Sequence, residues 1–259
     1  MRSLFDVTGR ISVFICALAG CASAARMRGE PVGHSPEQDP RGDPAGSAAG
    51  NASTYYEITA DLRRCASPLC GGWFFRRLNR ATTRCVDGRE AQSCYAPVLD
   101  WSGSNLSDDQ QAKLLDAARK NATSSGVYGM VRGAFAPTNT TPRPELGRFV
   151  ISEAWVAEGE AVSRGAFVRV KDNGLRCFAA PCPNLTETTL NTPRVTNIAA
   201  LDWTASGLSD RQIEAFTGLL ASPDGIMIAG ERYTVHENGQ AAKGRTVTNA
   251  YHRLSDAAP

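Results

Sequence analysis

One passage in this chain is written twice. Leu99-Asp-Trp-Ser-Gly-Ser-Asn-Leu-Ser-Asp-Asp-Gln110 lines up with Leu201-Asp-Trp-Thr-Ala-Ser-Gly-Leu-Ser-Asp-Arg-Gln212, identical at eight of twelve positions. Chance gives about one match in twenty per position, so the alignment reads as an internal repeat. Flanking anchors keep the same order. Arg64-Cys65 to Cys70 matches Arg176-Cys177 to Cys182 at an offset of 112, and Gly147-Arg148-Phe-Val150 matches Gly244-Arg245-Thr-Val247. Trp155 has an aromatic counterpart in Tyr251. Such a chain is expected to fold as one supersecondary unit used twice. The offset drops to 102 at the Leu-Asp-Trp segment, so the first copy carries about ten extra residues, among them Cys85 and Cys94.

Within each copy the patterning predicts β-β-β-α-β-β. Short alternating or β-branched runs mark strands at 54–60, 73–78, 94–100, 127–135 and 148–156, then at 166–171, 185–190, 195–201, 226–235 and 245–253. Ser107-x-x-Gln110 and Ser209-x-x-Gln212 are capping boxes with Asp108 and Asp210 in the first turn, so each opens a helix. The expected fold is α+β: two tandem units, residues 54–160 and 161–255, each an antiparallel sheet with one helix and disulfide staples.

Residues 1–20 read as an export signal, with Arg2 and Arg10 ahead of an apolar run too short to span a bilayer. The run ends in Leu18-Ala19-Gly20-Cys21, which resembles the bacterial lipobox. That resemblance implies an acylated Cys21 as the mature N-terminus and a partner in the lipid bilayer. The competing reading is secretion with cleavage after Ala24 or Ala25. Ala22 in place of Asp favours the outer membrane, by the same resemblance. Residues 21–53 are dominated by Pro, Gly, Ala, Ser and charges and read as a flexible tether, with a reach of about 30 Å.

After processing, six cysteines remain in an oxidising compartment. The repeat pairs Cys65 with Cys70 and Cys177 with Cys182, leaving Cys85 with Cys94 in the insertion. A four-thiolate zinc site from Cys65, Cys70, Cys85 and Cys94 is the alternative, but the second copy lacks the latter pair.

The segment Cys65-x-x-Pro68-x-Cys70-Gly71-Gly72, with Cys94-Tyr95, Leu99-Asp100-Trp101 and a closing strand ending Ala154-Trp155, resembles a domain of unknown function found in exported proteins of myxobacteria and similar bacteria. The resemblance covers residues 54–254 and departs at Pro183-Asn184, where the first copy has Gly71-Gly72. It implies location and fold, and carries no activity.

Chemistry is sparse. A formal charge of +2 gives no electrostatic footprint for nucleic acid, and only three His are present. Nucleophile-elbow, phosphate-loop, HExxH and dinucleotide patterns are absent. Asp100 and Asp202 recur as carboxylates, but their place before a Trp at a strand end reads as turn chemistry. Trp101 and Trp203 read as packing residues, His236 and His252 lack a nucleophile to pair with, and Glu153 and Glu231 read as solvated. No catalytic residue, cofactor or metal site is assigned. The better candidates are the two braced loops, with Pro68 and Leu69 in one and Phe178 and Pro181 in the other, and the hairpin tip Thr138–Pro144. Rigid loops lose little entropy on binding. The expectation is therefore a non-enzymatic binding or structural module of the cell envelope, holding another envelope or extracellular protein. A protease-inhibitor-like module and an envelope hydrolase are the alternatives.

Overall fold

A computed structural model describes residues 54–138 and 146–255. The signal segment, Cys21, the tether and the hairpin-tip positions 139–144 lie outside the described residues. The alternating runs form strands close to where their periodicity puts them. The first half holds β1 (Thr54–Ala60), β2 (Trp73–Arg77), a small hairpin of β3 (Thr83–Arg84) and β4 (Glu90–Ala91), β5 (Cys94–Ala96) and β6 (Leu99–Asp100). Then come α1 (Asp108–Thr123), β7 (Gly129–Ala136) and β8 (Arg148–Ala157). The second half holds β9 (Ala166–Asp172), β10 (Leu185–Thr189), β11 (Val195–Ile198), β12 (Ala200–Asp202), α2 (Asp210–Leu219), β13 (Ile226–Glu237) and β14 (Gln240–Leu254). Pro97 falls between β5 and β6, where the sequence reads one continuous strand. At α1 the Ser107 hydroxyl accepts from Gln110 N at 3.4 Å, and Gln110 Oε1 accepts from Ser107 N at 2.9 Å.

The expectation of an α+β fold in two tandem units with separate antiparallel sheets is overturned: the described residues are mostly β, with two helices beside one large sheet. β8 and β14 hydrogen-bond to each other, from Ala154 opposite Leu254 to Ala157 opposite Tyr251, so one twelve-stranded sheet runs through both halves. Two separate sheets would each expose an edge of unpaired N–H and C=O groups along β8 and β14; joining them satisfies both at once. Nor is the sheet wholly antiparallel. β6 pairs parallel with β8, and β12 with β14.

Those two parallel pairs let each end of the sheet close on itself. In the first half β1 pairs β2, β2 pairs β5, the chain continues into β6, β6 pairs β8, β8 pairs β7, and β7 returns to β1. The second half repeats the circuit through β9, β10, β11–β12, β14 and β13. A five-stranded circuit with a helix between its third and fourth strands has the strand order of OB-fold barrels. Both circuits carry a bulge ending on a glycine, Gly133 in β7 and Gly230 in β13. A Cβ there would stand 2.1 Å from Val150 O and 2.2 Å from Thr246 O, so only glycine fits the closing strand pair.

Two interior clusters, one per circuit, lie on one face of the sheet; α1 packs on the first through Leu114 and Ala118, and α2 on the second through Phe216. A third cluster sits at the junction on the opposite face and draws on both halves, with Tyr55, Leu78, Met130 and Trp155 meeting Phe167, Leu190, Met227 and Tyr251. Two asparagines lock this junction reciprocally. Asn79 accepts from Phe167 N (2.9 Å) and donates to Phe167 O (2.7 Å) and Leu190 O (3.0 Å). Asn191 accepts from Tyr55 N (2.8 Å) and donates to Tyr55 O (2.7 Å) and Leu78 O (2.9 Å). Both sit at positive φ, 57° and 59°, which Asn tolerates better than other side chains bearing a Cβ.

The interiors differ in kind. Pairing of Leu99 with Phe149 and of Leu201 with Arg245 shifts the sequence alignment by one, making Phe149 rather than Arg148 the counterpart of Arg245. At the resulting equivalent registers the first half has Phe75, Phe135 and Phe149, with Phe75 stacked on Phe149 at 3.8 Å between centroids. The second half places Glu187, Arg232 and Arg245 there. Glu187 is 0% exposed and Arg245 2%. Arg245 binds both carboxylate oxygens and the Gly230 carbonyl, while Arg232 Nη2 donates to Glu187 at 2.7 Å and to Thr196 at 3.0 Å. The extra hairpin is a second difference between the halves: Cys85 and Val86 pack against the aromatic interior, whereas in the charged cluster Glu187 and Arg245 are buried and Arg232 reaches solvent.

Candidate functional site

The sulfurs join as Cys65–Cys70, Cys85–Cys94 and Cys177–Cys182, with Cα separations of 5.7, 5.3 and 5.6 Å. The two short bridges brace loops 61–72 and 173–184, each joining the first and second strands of its circuit. The same backbone bond closes both loop bases: Asp61 N to Gly72 O and Asn173 N to Asn184 O, each 2.9 Å. Pro68 and Pro181 both follow cis peptide bonds. Five successive antiparallel pairings separate β1 from β9 along the sheet.

These loops carry the apolar surface. Among the described residues eight large apolar side chains are exposed, and four of them, Leu62, Leu69, Leu175 and Phe178, lie on the two loops. Phe178 is 113% exposed, fully in solvent at the tip of its bridge. The loop is held from outside as well as within: Asn238, in the β13–β14 turn, donates to Ala180 O at 3.2 Å. Arg176 pairs with Asp172 at 2.9 Å, and its hydrogen bond holds that carboxyl below the ordinary range.

The first loop meets a feature that the sequence reading missed. Register places Thr59, Phe74 and Tyr95 side by side across β1, β2 and β5, on the face opposite buried Phe75, with Glu57 opposite Arg76 in the next row. The Phe74 and Tyr95 rings are 5.4 Å apart. Arg63 lies over both, 5.2 and 5.8 Å from their centroids. It is fixed there by Asp61, which accepts from Nε and Nη2 at 2.9 Å each, and by Leu69 O at 3.2 Å. Hydrogen bonding from the Arg63 side chain holds the Asp61 carboxyl below the ordinary range, although its burial pushes the other way. Tyr95 donates to Pro68 O at 3.0 Å and accepts from Gly72 N at 3.1 Å; burial raises its pKa. Beside the rings lies a shallow cleft of about 250 Å³ lined by Glu57, Thr59, Phe74, Arg76, Gln92 and Ser93. The signal lay in comparing the matching strand pairs of the two halves. Phe74 aligns with Thr186 and Tyr95 with Asn197, so the aromatic pair belongs to the first half alone.

The other residues singled out from sequence take part in packing and turns. Asp100 accepts from Ser102 N at 2.9 Å and from Arg148 Nε at 2.9 Å; Asp202 accepts from Thr204 N at 3.0 Å. Each shapes the turn before its helix within its own half. Trp101 packs on the first interior cluster, and Trp203 on the second against Phe216. His252 Nδ1 lies 3.0 Å from Glu158, which also accepts from Gln212 at 2.9 Å. Glu153 is ion-paired with Arg132 and with Arg253, the latter at 3.4 Å. Glu231 and His236 are exposed on β13. Among the described residues no group of His, Cys, Asp and Glu could hold a metal ion, and no helix is long and apolar enough to cross a membrane.

The fold and its loops define a disulfide-braced β-domain built on one sheet with two closed ends. The chain belongs to the DUF6748 family, a domain of unknown function, whose match spans residues 54–257 and so takes in both halves. No curated protein and no solved structure matches it.

Proposed function

We propose that this chain is an exported lipoprotein, anchored in a bacterial envelope through acylated Cys21, that works as a binding module. Its partner is another envelope or extracellular protein, held on the braced loops. One observation carries the reading: among the described residues, half of the exposed large apolar side chains fall on two short, bridged loops, Phe178 entirely in water. Scattered apolar residues need no explanation, but their concentration on rigid loops does. Rigid loops keep the ordering cost of association small. The lipobox, with Ala22 after it, supports the outer membrane. The matched strand circuits, bulges and asparagine locks support descent of both halves from one duplicated unit.

A protease-inhibitor role is the second reading, favoured by Phe178 standing free on a bridged loop. The test is in-cell crosslinking and capture with the anchored chain beside a Cys21→Ser control. A discrete partner enriched with the wild type and lost from the control supports the proposal. Recovery of abundant envelope proteins alone, equally from both, refutes it.

A further inference from the structure

We infer that the peptide bond between Phe178 and Ala179 is a decoy cleavage site. The second bridged loop enters the active site of serine proteases that cut after large aromatic residues, with Phe178 in the specificity pocket, and blocks them. The inference rests on the reading of the braced loops as the protein-binding surface and names the partner for one of them. Phe178 is not demanded by the fold: Arg176-Cys177-Phe178 aligns with Arg64-Cys65-Ala66, and the first loop closes its bridge with alanine there. Arg176, Cys177, Phe178 and Ala179 are all exposed, so an enzyme reaches the bond from outside. A hydrophobic slot is what selects an aromatic side chain on the acyl side of a scissile bond.

The backbone separates the two loops. Main-chain hydrogen bonds give an extended peptide its grip on a partner, and pockets for side chains give the specificity. In the first loop those main-chain groups are taken: Ala66 O accepts from Leu69 N at 3.0 Å, Pro68 O from Tyr95 at 3.0 Å and Leu69 O from Arg63 at 3.2 Å. In the second, Ala180 O accepts from Asn238 at 3.2 Å, while the N–H and C=O groups of Cys177, Phe178 and Ala179 make no hydrogen bond among the described residues.

The bridge makes the loop an inhibitor rather than a substrate. The protease serine oxygen adds to the Phe178 carbonyl carbon, and its proton passes through the enzyme's base to Ala179 N, which leaves as an amine. Cys177–Cys182 spans the broken bond and Asn238 keeps hold of Ala180, so the amine stays beside the acyl carbon. Its return, which gives back the proton and restores the peptide, is intramolecular and outruns attack by water. Neither fragment diffuses away, and the active site stays filled.

The test is inhibition of chymotrypsin and trypsin by the full chain, disulfides intact, in assays with small chromogenic substrates. Chymotrypsin is inhibited competitively and trypsin is not. Phe178→Ala weakens inhibition about a hundredfold or more at an unchanged thermal midpoint. Phe178→Arg transfers inhibition from chymotrypsin to trypsin, which no packing role of a fully exposed side chain produces. Chain recovered from chymotrypsin is intact or cut once, after Phe178, with the two pieces joined until reduction. No inhibition of chymotrypsin, inhibition that survives Phe178→Ala, or progressive digestion of the loop overturns the inference. Discrete partners captured by the braced loops in cells, with chymotrypsin untouched, overturn it and leave the loop reading standing.

Discussion

Replacing Glu187 by Leu should be among the most damaging single changes in the chain, and adding Arg245→Met should repair much of it. Glu187 is wholly buried and Arg245 nearly so, with both carboxylate oxygens engaged by guanidinium groups. Removing the acid alone leaves a buried guanidinium without its counter-charge. Breaking such a pair costs about 3–5 kcal/mol, whereas replacing both partners by apolar groups of similar volume is often neutral. At an m-value of about 2–3 kcal/mol/M in urea, Glu187→Leu should lower the unfolding midpoint by about 1–2.5 M. Glu187→Leu/Arg245→Met should recover at least half of that shift. Acid supplies a second readout. Burial pushes the Glu187 carboxyl up, but hydrogen bonds from Arg245 and Arg232 outweigh it and hold the group below its ordinary value. The stabilisation of a depressed carboxylate is full above the unfolded-state value and disappears as pH falls through the folded-state value. Wild type should therefore lose stability on acidification below the ordinary carboxylate range, and the double variant should lose less. Urea melts in which the two substitutions simply add, or in which Glu187→Leu costs under about 1 kcal/mol, would refute a coupled buried ion cluster.

Other perturbations have definite sizes. Asn79→Ala loses three hydrogen bonds to the second half and puts a Cβ-bearing residue at φ 57° without its local support, so about 2–4 kcal/mol should be lost in urea melts, with Asn191→Ala behaving alike. Ser107→Ala removes the α1 cap and should cost about 1 kcal/mol by the same measurement. Cys85→Ala/Cys94→Ala opens the insertion over the aromatic interior and should cost about 2–3 kcal/mol, read as a lowered thermal midpoint.

The individual elements were legible because local signals and final structure agree, while the fold class was not. Ser107 and Ser209 start helices, and the alternating runs make strands in the order read from the sequence. What the sequence concealed is non-local. Nothing in the pattern of Ala154–Ala157 or Tyr251–Leu254 announces that these segments pair with each other, because a strand edge looks alike whether it ends a sheet or continues one. Asn79 and Asn191 read as ordinary turn residues, yet their side chains join the halves. The candidate site was half visible. Pro68, Leu69, Phe178 and Pro181 stand on the braced loops to which the cysteine spacing pointed. Phe74 and Tyr95 were hidden, since Trp73-Phe-Phe75 reads as core until register shows which ring turns outward. Their aligned partners, Thr186 and Asn197, mark the departure.

The most direct test of the central claim, that this chain acts by holding a partner on its braced loops, is site-specific photo-crosslinking in cells. A photoreactive residue at position 178, another at position 69, and a control at exposed Glu214 on α2 would be compared in the anchored chain. The account predicts discrete adducts from 178 and 69 that Glu214 does not give. Equal labelling from all three positions, or none from the loops, would contradict it.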